Sequence, residues 1–134
     1  MTRPNAAYLE LLGKNGLYGL GYDRALSDRW GVGAAAAWFT VESEEVLSVS
    51  PYVNLYPVAG RRWALALQAG AQVVHVKVPS RIVGWSGASA TGVAGQVSAG
   101  FEYRGPVLCR FLLSGVLGRG GARPWAGLAL GTAF

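Results

Sequence analysis

Charge is what this sequence has least of. Of its 134 residues 14% are Asp, Glu, Lys or Arg, where folded soluble domains run near 25%, so the groups that normally solvate a surface are in short supply. Histidine occurs once, at His75, and cysteine once, at Cys109. That excludes an intrachain disulfide and a zinc-type ligand cluster, and neither a metal nor a cofactor is expected. Cys109 reads as a small hydrophobe, packed or facing lipid. Long apolar runs are missing as well. The one uncharged stretch of sufficient length, 82–101, carries five glycines, several hydroxyls and Gln96, so it does not qualify as a spanning helix. Met1-Thr-Arg-Pro-Asn leads straight into Ala6-Ala-Tyr-Leu-Glu without the basic start and apolar stretch of a secretory signal. If the protein is exported, the expectation is that its signal has been removed.

The net charge of +5 is spread over Arg and Lys residues that stand singly or in pairs. A nucleic-acid footprint gathers its cations on one face, so nucleic acid is not expected as a partner.

What the sequence does have is alternation. No segment keeps an apolar 3.6 period over three turns, whereas a period of 2 recurs along nearly the whole length, broken by short clusters of Gly, Asp, Asn, Pro, Ser and Arg. This is an all-β pattern. The breaks delimit eight segments, 6–13, 17–26, 30–40, 47–56, 63–75, 92–104, 107–116 and 123–134, in one domain over 1–134. Each is close to the 9 to 11 residues that a tilted strand needs to cross a bilayer. Residues 27–29, 57–62 and 105–106 read as tight turns, and 41–46, 76–91 and 117–122 as longer loops; Lys14-Asn-Gly alone is short where a loop is wanted. Short turns at one rim and loops at the other suit an eight-stranded antiparallel up-and-down transmembrane barrel.

The two faces of each segment differ in kind. In 47–56, Leu47, Val49, Pro51, Val53 and Leu55 alternate with Ser48, Ser50, Tyr52, Asn54 and Tyr56. The same division sets Leu20 against Asp23, Leu67 against Gln68, and Val97 against Gln96 and Glu102. A soluble barrel alternates too, but its solvent face needs Lys, Glu, Thr and Asp along every strand. Here the second face is Gly, Ala, Ser and Gln, which suits a narrow lumen filled by side chains. The apolar face is therefore turned outward, toward lipid. Lumen charges must then pair: Glu10, Asp23, Glu102, Arg104 and Arg110 supply both signs, with Gln68 among them. Pro51, which removes a ladder donor in mid-strand, predicts a bulge or a local break there.

Aromatic positions add a second pattern. Tyr22, Trp30, Trp63, Tyr103 and Phe134 fall near strand ends at the short-turn rim, and Tyr18, Trp38 and Trp125 toward the other, as two interfacial girdles would.

The final residues, Trp125-Ala-Gly-Leu-Ala-Leu-Gly-Thr-Ala-Phe134, end on an aromatic with Leu128 and Leu130 at alternate positions. This resembles the terminal strand of bacterial outer-membrane β-barrel proteins, the signal read by their assembly machinery. The opening, Tyr8 to Leu26 followed by Trp30-Gly-Val-Gly-Ala, and Pro51-Tyr-Val-Asn-Leu-Tyr-Pro57 are similar to the small barrels of that superfamily. Thr132 departs from the pattern, in which a second aromatic or large apolar residue often stands. The resemblance implies the bacterial outer membrane, with membrane lipids and the assembly machinery as partners and a monomer or weak oligomer as the state. It implies neither a reaction nor a cargo.

For function, eight strands leave little room for solute flow, so a filled lumen with a structural, adhesive or interaction role through the longer loops leads. Lys77, Arg81, Trp85, Arg119 and Arg123 are the loop contact candidates, with lipopolysaccharide phosphates as their ligand. A lipid-modifying enzyme is the alternative from another class. It needs a nucleophile beside a base and a carboxylate; His75 has Ser80, Ser86 and Ser89 after it and Glu42, Glu44 and Glu45 before it, but none stands at a spacing that fixes it against the imidazole. A soluble barrel holding an apolar ligand within is the third reading.

Overall fold

The computed structural model describes residues 3–13, 16–78 and 88–134, and among them no helix occurs. Eight antiparallel strands, β1 (Asn5–Gly13), β2 (Gly16–Ala25), β3 (Trp30–Val41), β4 (Glu44–Ala59), β5 (Trp63–Val78), β6 (Ala88–Arg104), β7 (Val107–Gly118) and β8 (Gly121–Ala133), pair in sequence order. Pairing of β1 with β8 closes the sheet into a barrel. Closure leaves no free edge, so every strand finds ladder partners on both sides.

Leu20, Val53, Leu67, Val97, Phe101 and Leu130 stand on the exterior, whereas Asp23, Asn54, Gln68, Gln96, Glu102 and Arg110 are buried within. This is the reverse of a soluble barrel, and it excludes the reading in which the apolar face encloses a ligand.

Two of the three connections expected to be long are tight. β3 and β4 stay paired to Val41 and Glu44, leaving Glu42 and Ser43 as a two-residue turn with φ of 47° and 76°. Positive φ at both positions is the geometry of a type I′ hairpin, usually built from Asn-Gly; Glu-Ser carries no such signature, so the acidic run resembled a loop. β7 and β8 likewise stay paired to Gly118 and Gly121. The third connection shortens to 79–87, because β5 and β6 pair as far as Val78 and Ala88. The β5–β6 hairpin therefore climbs well past the β1–β2 end at Gly13 and Gly16, and the upper rim slopes.

Pro51 pairs normally with Ala34 of β3. On its other side the ladder to β5 skips from Val49 to Tyr52 with the register unchanged, a local break without a bulge. The register shift lies between Leu55 and Val58, around Pro57, where Pro57 and Val58 are both exposed. An extra residue that lacks an N–H is accommodated there by bulging.

Candidate functional site: a charged plug in the barrel interior

Four charged side chains from three strands meet inside the barrel toward the rim that holds the 26–29, 60–62 and 105–106 turns. Each carboxylate bridges both guanidinium groups. Asp23 on β2 accepts from Arg104 Nη2 through Oδ1 at 2.6 Å and from Arg110 Nη2 through Oδ2. Glu102 on β6 accepts from Arg104 Nε through Oε1 at 2.5 Å and from Arg110 Nε through Oε2 at 2.6 Å. Asp23 and Glu102 are wholly buried and the two arginines nearly so. The ring of charges is neutral, and each carboxylate oxygen is occupied by a guanidinium nitrogen, the condition under which buried ions are tolerated.

Three tyrosines complete it. The Tyr52 hydroxyl donates to Asp23 Oδ2 at 3.3 Å and is hydrogen-bonded to the Tyr8 hydroxyl. Tyr56 accepts from Arg104 Nη2 at 3.2 Å. Arg110 lies over the Tyr8 ring, 5.1 Å from its centroid, and Arg104 over Tyr56 at 5.9 Å, within the reach of cation–π attraction. Arg104 Nη1 also donates to the Pro4 carbonyl at 3.1 Å, which ties the plug to the segment preceding β1. Leu108 and Leu112, on the same face of β7 as Arg110, are buried beside it.

The small residues of β2 and β3 make room for these rings. A Cβ on Gly21 would lie 2.2 Å from Tyr8 Cζ, and one on Gly33 2.5 Å from Tyr52 Cζ and 2.6 Å from Asp23 Cβ. Gly33→Val is therefore expected to displace the Tyr52 ring and destabilise the barrel by about 1–3 kcal/mol, the usual range for overpacking. A lowered urea midpoint in detergent is the check, and an unchanged midpoint would mean that the ring has somewhere else to go.

Of the six residues assigned to the lumen from the sequence, Asp23, Glu102, Arg104 and Arg110 are thus brought together. Glu10 and Gln68 are buried on the same interior face. Above the plug the interior turns small and polar, with Ser48, Ser50, Gln96, and Ser98 hydrogen-bonded to Ser114 at 2.8 Å. The part played by Tyr8 and Tyr56 escaped the sequence reading. The signal available was the placing of Tyr56 at alternate positions with Asn54 and Tyr52, and of Tyr8 with Glu10.

The aromatic residues singled out from the sequence lie on the exterior. Trp30 and Trp38 stand eight residues apart on β3. At about 3.3 Å per residue and a tilt of roughly 40° that is about 20 Å along the barrel axis. Tyr18 donates to the Trp38 carbonyl at 2.9 Å, and Trp125 Nε1 to the Leu12 carbonyl at 2.5 Å, at the upper level. At the lower level the Trp63 and Tyr103 rings are 4.9 Å apart, Tyr22 donates to Asn5 Oδ1 at 2.8 Å, and Phe134 is exposed.

The loop contact candidates among the described residues fall on two hairpins. Lys77 lies on β5 opposite Glu45 and Ser89, Arg119 lies in the β7–β8 turn, and Arg123 lies on β8 opposite Val116. Arg81 and Trp85, with Ser80 and Ser86, fall outside the described residues. His75 is hydrogen-bonded through Nδ1 to Thr91 Oγ1 at 2.8 Å.

No family model matches the chain, and no curated protein matches it in sequence. Solved structures share its fold. The N-terminal β-barrel domain of Pseudomonas aeruginosa OprF matches with a TM-score of 0.69 at 18% identity, over 97% of this chain and 95% of that one. Ail, the attachment invasion locus protein of Yersinia pestis, matches with a TM-score of 0.57 at 15% identity, over 98% and 94%. Ail in complex with the heparin analogue sucrose octasulfate matches with a TM-score of 0.61 at 16% identity over the same shares.

Proposed function

We propose that the protein is an integral barrel of the bacterial outer membrane, closed inside by the Asp23–Glu102–Arg104–Arg110 plug and acting as a structural or interaction module at its raised rim. The observation that carries this reading is the inverted distribution of side chains: Leu20, Trp38, Trp63, Val93, Phe101 and Leu113 are each more than half exposed while Asp23 and Glu102 are fully buried. In water such an exterior aggregates; in hydrocarbon it is matched, and a closed barrel pairs its backbone groups from strand to strand. The two aromatic levels then sit at the interfaces of an apolar band, which is about 25 Å tall in barrels of this kind. The fold shared with OprF and Ail supports the same location.

The plug supports a closed interior. A solute would have to part four charge-assisted contacts in an interior whose remaining width is taken by Tyr8, Tyr52 and Tyr56. Membrane lipids are the surrounding partners, and the exposed Phe134 is the feature offered to the assembly machinery. The upper rim presents Lys77 on the β5–β6 hairpin and Arg119 and Arg123 on the β7–β8 hairpin, placed to meet phosphates of lipopolysaccharide. The sulfated ligand in one Ail structure favours an anionic ligand for this chain as well.

In detergent the protein is expected to migrate differently on a gel before and after boiling, and in planar bilayers to show no steps of general-porin size. A monodisperse monomer without detergent would refute the membrane reading. Porin-sized steps would refute the closed interior.

A further inference from the structure

The bulge at Pro57 has left a mark on the outer wall. Where β4 takes its extra residue, an apolar depression of about 340 Å³ opens between Val58, Trp63, Leu65 and Phe101. Directly at the rim a second depression of about 550 Å³ is lined by Gly60, Arg61, Arg62, Trp63 and Tyr103. The two share Trp63, so a basic cup and an oily groove adjoin at one indole.

The cup is held in shape from three sides. Gly60 N–H donates to the Trp63 carbonyl at 2.7 Å, which closes the β4–β5 hairpin with Arg61 and Arg62 at its two corners. The Arg62 carbonyl accepts from Arg104 N–H at 2.7 Å, fixing the corner to β6. The Tyr103 ring packs over the backbone of Gly105, where a Cβ would come within 2.7 Å of its hydroxyl. Both arginines are exposed, and neither guanidinium makes a hydrogen bond or ion pair among the described residues. Two adjacent cations without an acid, framed by the two ring systems that favour a membrane interface and opening onto an acyl-sized groove, match an amphiphile with an anionic head.

We propose that this wall binds one anionic glycerophospholipid, its phosphate held by Arg61 and Arg62 and an acyl chain laid along Val58 and Phe101. The assignment rests on the reading that the exterior faces a membrane. Guanidinium groups bind phosphate oxygens through paired N–H donors, and the hairpin presents two such groups where a phospholipid head would lie.

The test uses the folded protein in detergent, titrated with mixed micelles of phosphatidylglycerol or phosphatidylcholine and read by native mass spectrometry. The wild type is expected to retain phosphatidylglycerol about tenfold better than phosphatidylcholine, a ratio in keeping with a charge-assisted pair of contacts. R61Q/R62Q should reduce that ratio to near one, while R24Q, on the exposed outer face of β2, leaves it intact; heat-modifiable migration confirms that each variant is folded. Equal retention of the two lipids by the wild type, or undiminished preference in R61Q/R62Q, would overturn the proposal. Displacement of the adduct by millimolar inorganic phosphate would reduce the site to a simple anion cup, and displacement by lipopolysaccharide would overturn the choice of occupant. A protein that needs no detergent fails earlier and differently, by removing the membrane itself.

Discussion

Arg110→Ala is expected to lower the stability of the folded barrel by about 3–5 kcal/mol, the usual result of removing one partner from a buried ionic network. Its guanidinium touches both carboxylates, at 2.5 Å from Glu102 Oε2 and in direct contact with Asp23. Without it, two anions in a dry interior share Arg104 alone, and the local charge falls from zero to minus one. The loss should be read as a shift in the urea midpoint in detergent, with tryptophan fluorescence and heat-modifiable migration as coincident probes. Arg123→Ala, on the exposed wall of β8, supplies the contrast, because an exposed charge contributes about 0–1 kcal/mol. A double-mutant cycle with Asp23→Asn should return a coupling of more than about 1 kcal/mol, since the two residues share one network. If Arg110→Ala and Arg123→Ala prove equally mild, the interior is wet and the plug is not what closes it.

The second large effect lies on the other face of the wall. Leu20→Arg, at a position 69% exposed and paired with Leu9 and Ala36, should destabilise the barrel in phospholipid vesicles by about 2–4 kcal/mol, as arginine does at the bilayer midplane. Val41→Arg, beyond the level of Trp38 on β3, should lie within about 1 kcal/mol of the wild type, because the penalty fades toward the interface. It is the depth dependence that distinguishes a lipid belt from a merely apolar exterior. Similar small penalties at both positions would place Leu20 in water.

How far the sequence discloses this arrangement varies from strand to strand. β4 discloses nearly everything, because Leu47, Val49, Val53 and Leu55 alternate with Ser48, Ser50 and Asn54, so one inspection assigns both faces. β7 discloses less: Val107, Phe111 and Leu113 face out while Leu108 and Leu112 face in, and with both faces largely apolar the inward side shows only in Arg110 and Ser114. Hairpin ends are poorly legible: Gly118 and Gly121 bracket a tight turn inside a stretch that read as a longer loop, and at Glu42-Ser43 the ladder imposes a backbone that those residues seldom adopt. The bulge is at Pro57 and not at Pro51, since the loss of a donor can be absorbed by skipping ladder pairs on one side as well as by inserting a residue. The convergence of Asp23, Glu102, Arg104 and Arg110 is a product of stagger among strands far apart in the chain, which periodicity within each strand does not contain.

One consequence of the β1–β8 seam concerns time. Asn5 and Phe134 exchange backbone hydrogen bonds in both directions, at 3.0 and 2.9 Å, and Leu9 lies opposite Leu130. Of the eight strands the last to be synthesised is thus the obligatory neighbour of the first, and an incomplete set of hairpins has two open margins to offer to any stray chain. Asp23 emerges early and its counter-ions late, so until the last third arrives its negative charge depends on water. Bringing such distant partners together makes ring closure a slow step set by chain entropy.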